Sequence, residues 1–197
     1  MSISVSDIQK LRQMTGAGMM KAKEALEEAN GDMEKAQEIL RVKGMASADK
    51  KSDRAASAGM IGSYVHGGRI GVLVEVNCET DFVVKTEDFQ ELVEELSLHI
   101  AAIAPKYVTR DEVPEDVIAK ERQLFEDEVK ESGKPAEHAA KIVEGKLDKW
   151  LASICLMEQP YYKDDKQTIE ELVKSVIGKL GENIVVRRFV RLELGGE

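Results

Sequence analysis

The sequence predicts an α+β protein in which an N-terminal three-helix domain precedes a core of helices on a small, mostly antiparallel three-stranded sheet. Three observations carry this. Short amphipathic patterns separated by glycines fill residues 1–45. Two runs rich in β-branched residues flank Gly67-Gly68, and a Val-rich run returns at 184–194 after a long helical middle.

Ser6 is placed to cap a first helix carrying Ile8, Leu11 and Met14 on one side and ended by Gly16. Gly18 opens a second with Ala22, Ala25, Leu26 and Ala29, stopped by Asn30-Gly31. Asp32 caps a third with Met33, Ala36, Ile39 and Leu40, closed by Gly44. A domain this short has little core, and such domains work as docking modules. Residues 46–57, rich in Ala, Ser, Lys and Asp, read as a linker or a solvent-exposed helix before the 58–197 core.

The core opens with a hairpin. Met60, Ile61, Tyr64 and Val65 lead into Gly67-Gly68, whose freedom at positive φ suits a tight turn, and IGVLVEVN follows. Phe89, Leu92, Val93, Leu96, Ile100 and Ile103 then keep helical spacing until Pro105. A further helix begins near Pro114 with Val117, Ile118, Leu124, Phe125 and Val129 inward, broken by Ser132-Gly133-Lys134-Pro135. The next carries Ile142, Val143, Leu147, Trp150, Leu151 and Ile154, and CLMEQPYYKDD reads as a loop. Thr168 and Glu171 form a capping box before Leu172, Val173, Val176, Ile177 and Leu180, with Gly181 as the stop. A strand over 184–194 completes the chain.

Composition narrows the function. A net charge of −9 argues against general nucleic-acid binding, which needs a basic surface for phosphates. The acid concentrates between Glu87 and Glu137, in runs such as Glu94-Glu95 and Glu126-Asp127-Glu128 that read as solvated helix faces. Only two cysteines, Cys78 and Cys155, occur, with no metal-site or disulfide spacing, so both are expected as free thiols of a reducing compartment. The N-terminus has no leader pattern and no apolar run reaches membrane-spanning length, so a soluble, cytoplasmic protein without membrane association is expected. No Walker loop, GxSxG or HExxH is present. TGAGMM follows a helix and not a strand, so it lacks phosphate-cradling geometry. His66, His99 and His138 are scattered without ligand spacing, and metal binding is not expected.

The most informative stretch is NCETDFVVKTEDF at 77–89, where an acid–aromatic pair sits between a strand and a helix. Two readings of it stand. Asp81 is a turn or cap residue and Phe82 a core anchor, or both are offered to a partner. Two competing classes also stand: an interaction module working through its N-terminal helices, and a small enzyme pairing Asp81 with a histidine such as His66.

LRQMTGAGMMKAKEALEEANGDMEKAQEIL, VEVNCETDFVVKTEDF and GENIVVRRFVRLE together closely resemble bacterial translation elongation factor Ts, over nearly the whole chain and in the expected order. That resemblance implies a guanine nucleotide exchange factor for elongation factor Tu, with N-terminal helices of ubiquitin-associated type. It implies that Thr80, Asp81, Phe82 and Val83 enter the Tu nucleotide domain and displace the magnesium held with GDP. Arg12, Met19, Met20 and, less directly, Lys23 match positions that dock the N-terminal helices on Tu. The magnesium belongs to Tu, and the resemblance implies no enzyme chemistry and no cofactor of the chain's own. Longer family members have two related core halves, whereas this chain has one TDFV unit and one GENI unit. The resemblance to short forms implies a homodimer contacting two Tu molecules. Burying Phe82 in a partner should supply roughly 1.5–3 kcal/mol. A release rate raised about a thousandfold needs about 4 kcal/mol, so wider docking must contribute.

Overall fold

A computed structural model of the chain describes residues 3–131 and 136–196. Helices α1 (Val5–Thr15), α2 (Met19–Glu28) and α3 (Met33–Asp49) come first. Ser4, not Ser6, caps α1, because Ser4 and Asp7 satisfy each other's backbone N–H groups in a reciprocal box. Gly16, at φ 67°, ends α1 and donates to the Arg12 carbonyl at 2.7 Å. Ile8, Leu11, Ala22, Ala25, Leu26, Ala29 and Ala36 form the common core. Met14, expected inward, is instead exposed, with the Gln37 amide 3.6 Å from its sulfur.

Gly44 does not close α3, which runs on through Ala46, Ser47 and a buried Ala48 to Asp49. The close approach at Gly44 depends on Gly178: a Cβ on Gly178 would stand 3.0 Å from the Gly44 Cα, whereas one on Gly44 would meet nothing within 4 Å, so Gly178 lets the backbones of α3 and of α8 (Ile169–Leu180) come together. Of the segment read as a linker or a solvent-exposed helix, residues 46–49 are helix, with Ala48 buried.

Strands β1 (Ala58–His66) and β2 (Ile70–Cys78) make the expected hairpin, with Gly67 at φ 55° and Gly68 at φ 70°. β5 (Ile184–Glu193) adds to β2, giving the order β1-β2-β5. The Leu194 N–H donates to the Arg69 carbonyl at 2.7 Å, joining the end of β5 to the start of β2 as an antiparallel pair requires. Val72, Val74, Val76 and Cys78 alternate inward along β2.

One-turn α4 (Asp81–Val84) leads into α5 (Glu87–Ile103), which buries Phe89, Leu92, Val93, Leu96 and Ile100 and leaves Ile103 exposed beside the stop at Pro105. α6 (Glu115–Glu131) and α7 (Ala136–Ile154) pack together. Val113, Leu147, Leu151 and Ile154 form their core with Phe125 and Trp150 against it. Leu124, expected inward, is exposed, since its neighbour Phe125 fills the inward position. The break expected at Ser132-Gly133-Lys134-Pro135 lies outside the described residues.

The segment expected as a loop is structured. A 3-10 turn (Leu156–Glu158) precedes β3 (Pro160–Tyr161) and β4 (Asp164–Thr168), which pair antiparallel. Pro160 is tolerated at the first position of a strand, and a two-residue strand is too short to show a period. α8 buries Ile169, Val173 and Ile177 and ends at Gly181, φ 82°, whose N–H reaches the Ile177 carbonyl at 2.8 Å.

The described residues of Met1–Gly62, Val74–Glu95 and Glu171–Arg187 form one compact unit, and those of Ser63–Leu73, Leu96–Glu170 and Arg188–Glu197 a second. Among the described residues no helix is long and apolar enough to cross a membrane.

Candidate partner-binding site

β2 ends at Cys78 with its side chain fully buried, and the thiol donates to the Thr80 carbonyl at 3.1 Å. Burial first, and the nearby Glu182 charge second, push the Cys78 thiol up, so it remains a protonated donor at neutral pH. Thr80 has the extended backbone of a helix N-cap, yet its side chain does not cap α4. Its N–H and hydroxyl both donate to the Glu182 carboxylate, at 2.9 and 2.6 Å.

α4 is a single turn with Val83 directed inward, 7% exposed. The Thr86 hydroxyl donates to the Val83 carbonyl at 2.7 Å and locks the exit from that turn. With Val83 inside, Phe82 is turned about 100° away from it and is 77% exposed, beside an exposed Asp81. The core-anchor reading of Phe82 is thereby overturned: Val83 and the fully buried Phe89 are the anchors. Lys85 stands 3.9 Å from the Asp81 carboxylate and 6.0 Å from the centre of the Phe82 ring, an exposed set of contacts that holds little.

A second tie lies beside the first. The Asn183 N–H donates to the Glu79 carboxylate at 2.7 Å, and its buried side-chain amide reaches the carbonyls of Ser52 at 3.1 Å and Arg54 at 2.8 Å. Sequence reasoning missed Glu79, Glu182 and Asn183 as supports. The signal was the GEN triplet ahead of β5, which reads only as a helix stop when taken alone.

On the N-terminal helices, Arg12, Met19, Met20 and Lys23 are all exposed. Met19 and Lys23, four residues apart on α2, share a face, and Lys23 lies 3.6 Å from Glu27. Met20 is one residue round the same helix, while Arg12 sits on α1. Neither methionine packs inside. Adaptable apolar side chains at a helix start suit contact with a partner surface.

Among the histidines, the His66 Nδ1 is engaged with the Tyr64 hydroxyl at 3.0 Å. His99 is buried in the second unit with Nε2 2.9 Å from the Gln159 amide oxygen, and burial lowers its pKa. Cys155 is buried and its thiol is pushed up to about 11, chiefly by burial, so it is inert at neutral pH.

A helical unit with exposed methionines and a strand end that presents a Phe on a braced turn define a protein built to act on a partner surface. The family model for Elongation factor TS matches residues 2–196, and the chain belongs to that family. It is 56% identical to Elongation factor Ts of Coprothermobacter proteolyticus over 99% of this chain and 100% of that protein. Identity is 54% to the Moorella thermoacetica protein, over 98% and 96%, and 53% to that of Fervidobacterium nodosum, over 99% and 100%. Membership carries a nucleotide exchange role in translation elongation, with elongation factor Tu as partner.

Proposed function

We propose that this chain binds elongation factor Tu in its GDP form, disrupts the magnesium and phosphate site there, and accelerates GDP release so that GTP can enter. The observation that supports this most is the solvation of the TDFV segment: Val83 anchors the turn while Phe82 stands outside it. An exposed Phe raised on a fixed turn is a wedge awaiting an apolar crevice. Asp81 beside it accepts hydrogen bonds from groups that otherwise organise the magnesium site, and it need not touch the metal.

Met19, Met20, Arg12 and Lys23 serve as the docking contribution from α1 and α2. The factor changes rates and not the balance set by free nucleotide, and it weakens nucleotide binding only because nucleotide reciprocally weakens its own binding. No covalent step and no cofactor of its own enter this account. The protein works in the cytoplasm as a homodimer. Exposed apolar side chains of the second unit, Val65, Leu73, Val190 and Leu192, support self-association.

Stopped-flow release of a fluorescent GDP analogue from a matched elongation factor Tu tests the reading. Acceleration that rises with factor concentration and then saturates is expected. A folded chain that leaves the release rate unchanged at every concentration contradicts it.

A further inference from the structure

Two consecutive residues between α8 and β5, Glu182 and Asn183, exchange hydrogen bonds with two consecutive residues between β2 and α4, Glu79 and Thr80. In one direction the Glu182 carboxylate takes both Thr80 donors. In the other the Glu79 carboxylate takes the Asn183 N–H. Each segment supplies one carboxylate and one backbone donor, across sequence separations of 102 and 104 residues.

The choice Thr80 makes is informative. A threonine in the N-cap position ordinarily turns its oxygen toward the N–H groups of its own helix. Here that oxygen donates its proton to Glu182, and α4 has no side-chain cap. Two charge-assisted bonds on one residue fix its position more firmly than a local cap would. Asn183 is 2% exposed and tied to the carbonyls of Ser52 and Arg54, so the clamp stands on a fixed base.

We propose that Glu182 is the positioning residue of the exchange segment: by holding Thr80 it sets the direction in which Asp81 and Phe82 leave the end of β2. This rests on the reading of Phe82 as the wedge. Glu182 touches no nucleotide in this account and acts only through Thr80. Without it, Val83 still seats the turn, but Thr80 loses the acceptor for both donors and the tip is free to swing. Displacements of about 1 Å cost up to about a hundredfold where a reaction depends on placement.

The test uses the full chain with Glu182→Ala, Glu182→Gln and Phe82→Ala, alone and combined, in the GDP-release assay across factor concentration. Glu182→Ala should lower the saturating release rate about tenfold to a hundredfold and leave the half-saturating concentration within about threefold of the parent. Glu182→Gln should recover part of the loss, since its amide oxygen still accepts from the Thr80 N–H. On the Phe82→Ala background, Glu182→Ala should cost much less than in the parent, only the share that acts through Asp81.

A full saturating rate for Glu182→Ala overturns the proposal, as does an equal loss on both backgrounds. Failure of the wedge reading looks different: the parent and Phe82→Ala would then accelerate release equally. If circular dichroism shows Glu182→Ala unfolded, Thr80→Val takes its place. It deletes only the hydroxyl that donates at 2.6 Å and should show a smaller loss with the same background dependence.

Discussion

The two surfaces that this chain offers a partner are supported in opposite ways. Met19, Met20 and Lys23 stand on a helix whose caps, stop and small core all come from residues 4–36. Phe82 stands on a single turn that has no helix to hold it, and its support arrives from a carboxylate 102 residues along the chain. A helix face can be built from local propensity and a few alanines. A projecting tip needs tertiary bonds, because one turn fixes too many dihedrals for the hydrogen bonds it gains.

The difference predicts how each surface breaks. The largest stability loss should come from Leu26→Ala, because Leu26 is fully buried among small neighbours that cannot collapse into the space. A loss of about 2–5 kcal/mol in urea denaturation is expected, and the docking face goes with it. A loss below about 1 kcal/mol would mean that this core contributes little.

Asn183→Ala comes next. It deletes a buried amide that donates to two backbone carbonyls, those of Ser52 and Arg54. A loss of about 1–3 kcal/mol is expected by the same measurement. Its effect on GDP release should follow that of Glu182→Ala in direction, since both loosen the base of the tip.

A smaller effect should appear with pH, and in the second unit. Burial lowers the pKa of His99, against a weaker opposing pull from Gln159. The unfolded chain therefore binds the proton more readily than the folded one below about pH 6.5, so stability should fall as pH drops from about 7.5 to 5.5. Asp32 and Glu38, whose pKa values are lowered by hydrogen bonds to Lys35 and Arg41, lose their contributions only in a more acidic window, below about pH 4.5. Melting temperatures of the parent and of His99→Gln across that first range check this, and the variant should show the flatter profile.

The smallest change belongs to Lys85→Ala. Its contacts to Asp81 and Phe82 are exposed, so no measurable shift in the urea midpoint is expected.

Legibility in the sequence followed the same division. The helices of residues 5–49 could be read almost to their ends, the end of α3 excepted, because caps and glycine stops are local chemistry. The misses there were also local. Asp7 at N3 made Ser4 the better cap, and Gly44 is a glycine inside α3 rather than its stop. The hairpin at Gly67-Gly68 was legible for the same reason. The β3–β4 hairpin was not, because two-residue Pro160–Tyr161 has no period to detect.

At the site, the residue types at 80–83 marked the segment, but whether Phe82 lay inside or outside depended on Val83 being the anchor. No single-residue pattern tells two adjacent apolar side chains apart. The clamp of Glu79, Thr80, Glu182 and Asn183 was illegible in principle, since it joins segments more than a hundred residues apart.

The central claim is that Phe82 belongs to the partner and not to the fold. One paired measurement tests it most directly: the urea midpoint of Phe82→Ala beside its saturating rate of GDP release from elongation factor Tu. Stability should stay within about 0.5 kcal/mol of the parent, as for other exposed sites. The release rate should fall about tenfold to a hundredfold, matching the roughly 1.5–3 kcal/mol that burial of a Phe supplies. A variant that melts early, or one that exchanges nucleotide as fast as the parent, would contradict the account.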